Sequence, residues 1–383
     1  MKILADAHIP YLKGVIELFG EVEYLPGNEF SKEKIKDKDV LIVRTVTHFG
    51  KEILEGSHVQ LICSATIGYD HIDTAYCDAH NIAWRTAPGC NANSVEQYVT
   101  ASLLYIAREQ GYELKDKTIG IVGVGNVGSR VEAACRKLGM NILLNDPPRE
   151  EREGKQKFVS LDTIKNEADI ITLHVPLTKN GKYPTYHLVD FEFFRSLRKQ
   201  PVVINSCRGA VVDNQAWRKA ICEHLISASV IDCWENEPNI DLDLLRKVDI
   251  ATPHIAGYSA DGKWTATKMT LENVNNYFKL GIDPIPFQKI PEPDQPIIDL
   301  QHVPPEEQLT TAVWHTYNPM KETEALKSNP EDFYRFRSNY PLRREYVAYT
   351  VVNADPKVAE TLKMLGFNVD SFQNQNKSPN TGM

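Results

Sequence analysis

Few folds accommodate the stretch TIGIVGVGNVGSRVEAACRKLGMNILLND, residues 118–146. It opens as a short apolar strand and runs into a glycine-rich turn. An amphipathic run stopped by Gly139 follows, and then a second apolar strand ends on Asp146. Strand, tight turn, helix and strand in this order predict a parallel crossover unit, with a helix N-terminus aimed at whatever lies beyond the first strand.

The same alternation recurs on both sides. KILAD, VEYL, VLIVRT, LICSATIG and IAWRTAP read as buried parallel strands, being short and rich in Ile, Val and Leu. SVEQYVTASLLYIAREQ reads as a long helix, with Ser94 as cap and Gln97 as its capping-box partner. ADIITLHVPL, PVVINSCRG, SASVIDCWE and VDIATPHIA continue the second series, and GKWTATKMTLENVNNYFKLG reads as a helix returning to the first. The predicted organisation is α/β. Residues 1–95 and 256–283 form one domain and 96–255 a nucleotide-binding domain. An extended Pro-rich linker spans 284–298, an α+β segment 299–372, and a disordered polar tail 373–383.

Within the turn, Gly123, Gly125 and Gly128 form G-x-G-x-x-G. Alone that pattern is weak; between this strand and this helix it points to a dinucleotide. The amides of Asn126 and Val127 would face a pyrophosphate. Asp146, ending the next strand, would accept hydrogen bonds from ribose hydroxyls and repel a 2′-phosphate, which favours NAD. Arg149 and Arg152 are the residues that could accommodate NADP instead.

Three side chains at predicted strand ends carry the chemistry. Arg208, after PVVIN, can hold a carboxylate with two parallel hydrogen bonds. His254, after VDIATP, can take a hydroxyl proton while hydride leaves. Glu237, after SASVIDCW, can hold the second imidazole nitrogen and favour the imidazolium. His174 reads as a turn or cofactor-wall residue, and Cys207 as a small apolar wall residue. Arg44, ending VLIVRT, is a candidate phosphate ligand. A second candidate is the basic run YRFRSNYPLRREY, in which Arg343 or Arg344 could reach a partner subunit's cleft; a solvated charged face is the alternative.

Composition excludes several classes. A net charge of −8 argues against general nucleic-acid binding. Seven cysteines without a C-x-x-C pair argue against a disulfide framework or a zinc site and fit a reducing cytoplasm. No metal, membrane span or signal peptide is expected.

GIVGVGNVG, LHVPLT, VINSCRGAVVD and TPHIAGYS together resemble the NAD-dependent D-2-hydroxyacid dehydrogenases. The resemblance implies a Rossmann-type cofactor domain inserted into a flavodoxin-like substrate domain. It also implies Arg208 as carboxylate anchor, Glu237 and His254 as the acid/base pair, and cofactor contacts at Val175, Ser206, Cys207, Arg208, Asp232 and Gly257. MKILADAHIPY, GYDHID, PTYHL and YPLRREY are similar to one branch of that family. That similarity implies a homodimer formed through the C-terminal segment and substrate contacts at Thr45, Thr66 and Tyr258. The implied reaction is oxidation of 4-phospho-D-erythronate by NAD. Another phosphorylated 2-hydroxy acid, or NAD sensing without turnover, are the competing readings.

Overall fold

A computed structural model describes residues 1–341 and 343–370. The chain divides into two compact units: Met1–Ser94 with Gly257–Pro291, and Val95–Ala256 with the described residues from Glu292 on. The second unit is thus an insertion in the first, extended by the C-terminal segment.

The first unit holds a five-stranded parallel sheet of β1 (Lys2–Asp6), β2 (Glu21–Leu25), β3 (Val40–Val43), β4 (Leu61–Ser64) and β5 (Ala83–Arg85), in the order β2-β1-β3-β4-β5. This is the flavodoxin-like order. Alternate residues feed two cores. Ile3, Ala5, Val40 and Ile42 pack on one face with Leu271 and Val274 of the returning helix. Leu4, Leu41 and Val43 pack on the other with Phe30 and Phe49. A strand covered on both faces has no polar side to show, which is why these runs lack alternation. The returning helix, Ala260–Phe278, is capped by Ser259, whose Oγ accepts from the Gly262 amide at 2.8 Å.

The second unit holds β6 (Thr118–Val122), β7 (Asn141–Asn145), β8 (Ile170–Leu173), β9 (Val202–Asn205), β10 (Ala228–Ile231) and β11 (Ile250–Ala251). They form a six-stranded parallel sheet in the order β11-β10-β9-β8-β6-β7. The chain leaves β6 for β7 on one side and resumes with β8 on the other, so a crevice opens between the ends of β6 and β8. The C-terminal segment adds a parallel sheet of β12 (Ile297–Asp299), β13 (Thr350–Val352) and β14 (Asn368–Asp370). Leu326 and Phe333 of this segment belong to the same buried cluster as Trp234, Leu244 and Ala251.

Two local expectations are corrected. The long helix runs Ala92–Gln110 and starts before Ser94, whose Oγ donates to the Asn91 carbonyl at 2.9 Å. Gln97 is no capping partner. Its amide donates to Thr316 Oγ1 at 2.9 Å and to the Arg344 carbonyl at 3.1 Å, and its oxygen accepts from Arg343 Nε at 2.9 Å. A buried donor–acceptor network outcompetes a local cap. The first half of the Pro-rich stretch packs against the returning helix. Phe287 packs edge-on against Trp264 with ring centroids 5.6 Å apart, and Trp264 Nε1 donates to the Gln288 carbonyl at 2.6 Å. The stretch's last two residues, Ile297 and Ile298, enter β12. The tail at 373–383 lies outside the described residues. No helix among the described residues is long and apolar enough to cross a membrane.

Candidate active site

The nucleotide crevice is built by close approach. Gly123 follows β6 at φ +88°, and a Cβ there would meet the His174 carbonyl carbon and oxygen at 2.7 Å. A Cβ on Gly128 would lie 2.0 Å from the Gly123 oxygen, so helix Asn126–Lys137 can pack on its strand only with glycine at that position. At Gly125 the direction of a Cβ is open, and the helix amides of Asn126 and Val127 that follow have no side-chain cap. Open space over uncapped N–H groups suits a pyrophosphate.

Further groups fit a bound dinucleotide. Ser206 Oγ and His174 Nδ1 are buried without a hydrogen-bond partner among the described residues. His174 Nε2 is paired with Thr172 Oγ1 at 3.0 Å, and burial lowers its pKa to about 3, so it is a neutral wall residue. Asp146 accepts from the Val124 amide at 2.8 Å and caps helix Pro147–Glu153 through the Arg149 amide at 3.0 Å. The Arg149 guanidinium is committed to Glu153, at 2.7 and 2.8 Å, which takes from it the charge a 2′-phosphate would need. Val175 is half-buried beside this crevice, after β8. Cys207 is buried, its thiol bonded to Asn205 Oδ1 at 3.1 Å and pushed up to about 11 by burial; it is no nucleophile at neutral pH.

Arg208 follows β9. Asn205 shapes its turn, accepting from the Cys207 amide at 3.1 Å and donating to the Arg208 carbonyl at 3.0 Å. A Cβ on Gly209 would lie 1.9 Å from the Trp234 oxygen, so the turn after β9 rests directly on the turn after β10. That second turn carries Glu237. His254, after β11, meets it: Nδ1 lies 2.8 Å from Oε2 and 3.1 Å from Oε1. Two residues far apart in sequence become partners because β10 and β11 are adjacent in register, Val230 opposite Ile250. Burial pushes the Glu237 carboxyl up, but the bond and charge of His254, the Trp234 amide and the charge of Arg337 together hold its pKa below the ordinary value.

Asp232 is 1 % exposed and lies behind this pair. Its Oδ1 accepts from the Ile255 amide at 2.8 Å and Thr252 Oγ1 at 2.7 Å, and its Oδ2 from the Ala256 amide at 3.0 Å. It therefore organises the loop around His254, whose φ is +56°.

In the first unit, Arg44 and Thr45 follow β3 and Thr66 follows β4, all at C-terminal strand ends. Thr45 is exposed. Arg44 forks onto Asp6, Nε to Oδ2 at 2.8 Å and Nη2 to Oδ1 at 3.2 Å. Thr66 Oγ1 lies 2.7 Å from Ser64 Oγ, which lies 3.2 Å from His71 Nε2. Gly257 packs against Asn91, whose Nδ2 would be 2.1 Å from a Cβ. Tyr258 carries the Lys263 ammonium over its ring at 4.1 Å.

Residues 91–256 match the family described as D-isomer specific 2-hydroxyacid dehydrogenase, NAD binding domain, and 290–366 match a domain of unknown function. The chain is 50% identical over 357 residues to the erythronate-4-phosphate dehydrogenase of Bacteroides thetaiotaomicron, covering 92% of this chain and 99% of that one. It is 40% identical to that of Pectobacterium atrosepticum, over 96% of this chain and 98% of the relative. The chain belongs to the erythronate-4-phosphate dehydrogenase family. Among solved structures, the NAD-bound 3-phosphoglycerate dehydrogenase of Entamoeba histolytica is 26% identical with a TM-score of 0.62, covering 76% of this chain and 99% of that one. The D-lactate dehydrogenase of Aquifex aeolicus, at 24% identity and TM-score 0.62 over 73% of this chain and 96% of that one, shares the fold.

In this member of the erythronate-4-phosphate dehydrogenase family, sequence reasoning missed residues that act on the site from a distance. His187, in PTYHL, donates its amide to the Ala210 carbonyl at 2.8 Å and pairs through Nε2 with Glu235 at 2.7 Å; it thus ties the insertion to the loop after Arg208. Arg337 Nη1 reaches Glu237 Oε2 at 3.3 Å from a hundred positions away. Arg343 is 8 % exposed and buried against its own subunit, donating to the carbonyls of Ile255 at 3.1 Å and Ala256 at 2.5 Å. That corrects both readings of the basic run for Arg343: it is neither a solvated face nor a reach toward a partner's cleft. Spacing along the chain offered no signal for any of these contacts. Cys233 Sγ, Glu237 and His254 also bring ligand-type atoms within 4.8 Å of one another. Burial pushes the Cys233 thiol well above its ordinary range, so it offers no ready thiolate ligand.

Proposed function

We propose that this NAD-dependent oxidoreductase oxidises 4-phospho-D-erythronate at C2, giving (R)-3-hydroxy-2-oxo-4-phosphobutanoate, NADH and a proton. NAD, bound along the glycine-rich turn with Asp146 on its ribose, supplies the hydride acceptor. Arg208 binds the C1 carboxylate and orients C2. His254 removes the C2 hydroxyl proton through Nε2, because Nδ1 is occupied by Glu237. Glu237 keeps Nδ1 protonated, fixing the tautomer, and stabilises the imidazolium that forms. Val175, Ser206, Cys207, Asp232 and Gly257 complete the cofactor wall. Thr45, Thr66 and Tyr258 contact the substrate. Arg44 meets the phosphate with the edge that Asp6 leaves open.

The observation that carries the reading is the 2.8 Å pairing of Glu237 with His254 Nδ1 at the ends of adjacent strands in an NAD-binding domain. Its substrate comes from relatives whose full length the chain matches at up to 50% identity. We also read the protein as a cytoplasmic homodimer joined through its C-terminal segment. In support, Ile297, Tyr334 and Val347 are large apolar side chains more than half exposed there, and all seven cysteines are free.

The test is NADH formation with purified enzyme and 4-phosphoerythronate, erythronate, 3-phosphoglycerate or lactate. The reading requires the highest kcat/KM on 4-phosphoerythronate. Preference for 3-phosphoglycerate would reassign the substrate. Tight NAD binding without turnover of any of them would make the protein a sensor.

A further inference from the structure

Glu237 is held from three directions. Oε1 accepts from the Trp234 amide at 2.8 Å, Oε2 from Arg337 Nη1 at 3.3 Å, and His254 Nδ1 sits across both oxygens. Two donors on opposite oxygens fix the plane of a carboxylate, and a fixed plane fixes where a third donor can lie. The backbone donor belongs to the turn itself. The charged donor comes from the C-terminal segment, which matches a domain of unknown function.

The helix that carries Arg337, Phe333–Ser338, is firmly seated. Phe333 is 1 % exposed in the core that also contains Trp234 and Ile240, and Phe336 packs against that core. Arg337 is thus carried on an element that shares its packing with the Glu237 turn. The side chains of Glu237 and Arg337 are 16% and 33% exposed, so their attraction is only partly screened by water.

We propose that Arg337 is a positioning residue of the acid/base pair, reaching from the C-terminal segment to hold the Glu237 carboxylate against His254. The proposal rests on the reading of that pair given above. It gives the segment a role within its own subunit, separate from any contact between subunits. Arg343 supports the same arrangement from the loop's other side, through the carbonyls of Ile255 and Ala256.

The charge of Arg337 also bears on the pair's protons. The ionisable groups that bear on Glu237 and His254 are Arg337, Asp232 and Cys233. Arg337 is the cation bonded to the carboxylate. Removing it leaves the pair with more negative charge, and the pair then holds its proton more tightly. The acid limb of the oxidation rate, which reports formation of the free base, moves to higher pH.

The experiment compares Arg337→Met and Arg337→Lys with wild type. In Arg337→Met the acid limb is expected about 0.5 pH unit higher, the size of a partly exposed charge pair. Its kcat should fall roughly tenfold with little change in KM for the acid, as loss of alignment predicts. Arg337→Lys should restore the limb and only part of kcat, since an ammonium keeps the charge but not the guanidinium's reach and planar donors. If Arg337→Met does not accumulate, Arg337→Gln removes the charge and keeps a donor. An unmoved limb in the neutral variant, whatever its thermal stability, overturns the proposal. NMR titration of the His254 imidazole in both proteins, without substrate, reads the same shift. It separates failure here from failure of the assigned reaction, which would appear as a wild-type enzyme that turns over none of the acids.

Discussion

Asp232 and Arg343 grip opposite sides of the same two residues. The carboxylate accepts the amides of Ile255 and Ala256, and the guanidinium donates to their carbonyls. Both are almost fully buried, Asp232 at 1 % and Arg343 at 8 % exposure. The loop that follows His254 has therefore exchanged its water contacts for charged ones on both edges. A left-handed φ of +56° at His254 costs energy for any residue with a side chain, and such a conformation persists only where neighbours over-determine it. These two do so.

Arg343→Met keeps the volume and removes the donors. It strands two buried carbonyls and the Gln97 oxygen, and gives up the stacking over Tyr317 at 4.3 Å. Unpaired buried acceptors should cost about 2–4 kcal/mol in all. Urea unfolding followed by circular dichroism measures it, and kcat per folded enzyme should drop as the His254 loop loosens. Native stability with native kcat would show that the grip on this loop does nothing.

Glu237→Gln tests the pair itself. Burial raises the Glu237 carboxyl, and the His254 bond and charge, the Trp234 amide and the Arg337 charge together lower it further than burial raises it, so the net pKa lies below the ordinary carboxylate value. Any stability from this depressed group is present above that ordinary value and is lost only as pH falls through the lower folded one. Near neutral pH Glu237 is then a fixed anion. An amide there no longer compensates the imidazolium, the free base forms at lower pH, and the acid limb should move down by about one unit. Arg337→Met moves the same limb the other way. Opposite displacements, measured as kcat/KM against pH, distinguish the two roles; equal ones contradict both.

Much of this was legible because parallel strands buried on both faces must be runs of Ile, Val and Leu, and because ligands gather where such strands end. Those two facts place Gly123, Arg208, Glu237 and His254 at strand ends from the residues alone. Side chains that serve the site from behind leave no such mark. The family resemblance implies Asp232 as a cofactor contact, but nothing in the sequence signals its hold on Thr252, Ile255 and Ala256. Arg337 and Arg343 read as surface charge because a basic run looks the same whether its partners are water or carbonyls brought in from elsewhere. Gln97 fits a capping box at Ser94 until three residues of the C-terminal segment claim its amide.

Asp146→Ala should narrow the preference for NAD over NADP by about tenfold or more, by removing acceptors for the ribose and the repulsion of a 2′-phosphate. Arg149 would not by itself create a phosphate site, since Glu153 holds it. Asp146 also caps helix Pro147–Glu153, so the variant should lose about 1 kcal/mol of stability. Paired kcat/KM values for the two cofactors decide; unchanged discrimination would remove Asp146 from the ribose.

The last prediction concerns a carboxyl far from the chemistry. Glu96 is 7 % exposed in the long helix, accepts from Thr100 Oγ1 at 2.8 Å, and has Glu345 nearby as a second buried acid. Burial, with a smaller push from Glu345, raises its pKa to about 8. A folded carboxyl with a raised pKa gives stability that is complete below the unfolded value, near 4.5, and is lost as pH rises toward 8, because only the unfolded chain releases the proton over that interval. At pH 7 the fold must keep Glu96 protonated against water's preference, a cost on the order of 3 kcal/mol at one pKa unit per 1.4 kcal/mol. Glu96→Gln has nearly the same shape and no proton to lose. Its melting temperature should match wild type near pH 5 and exceed it increasingly toward pH 8, with NADH formation unchanged. A stability difference that stays flat with pH would mean that Glu96 is ionised in the fold and matched by a cation.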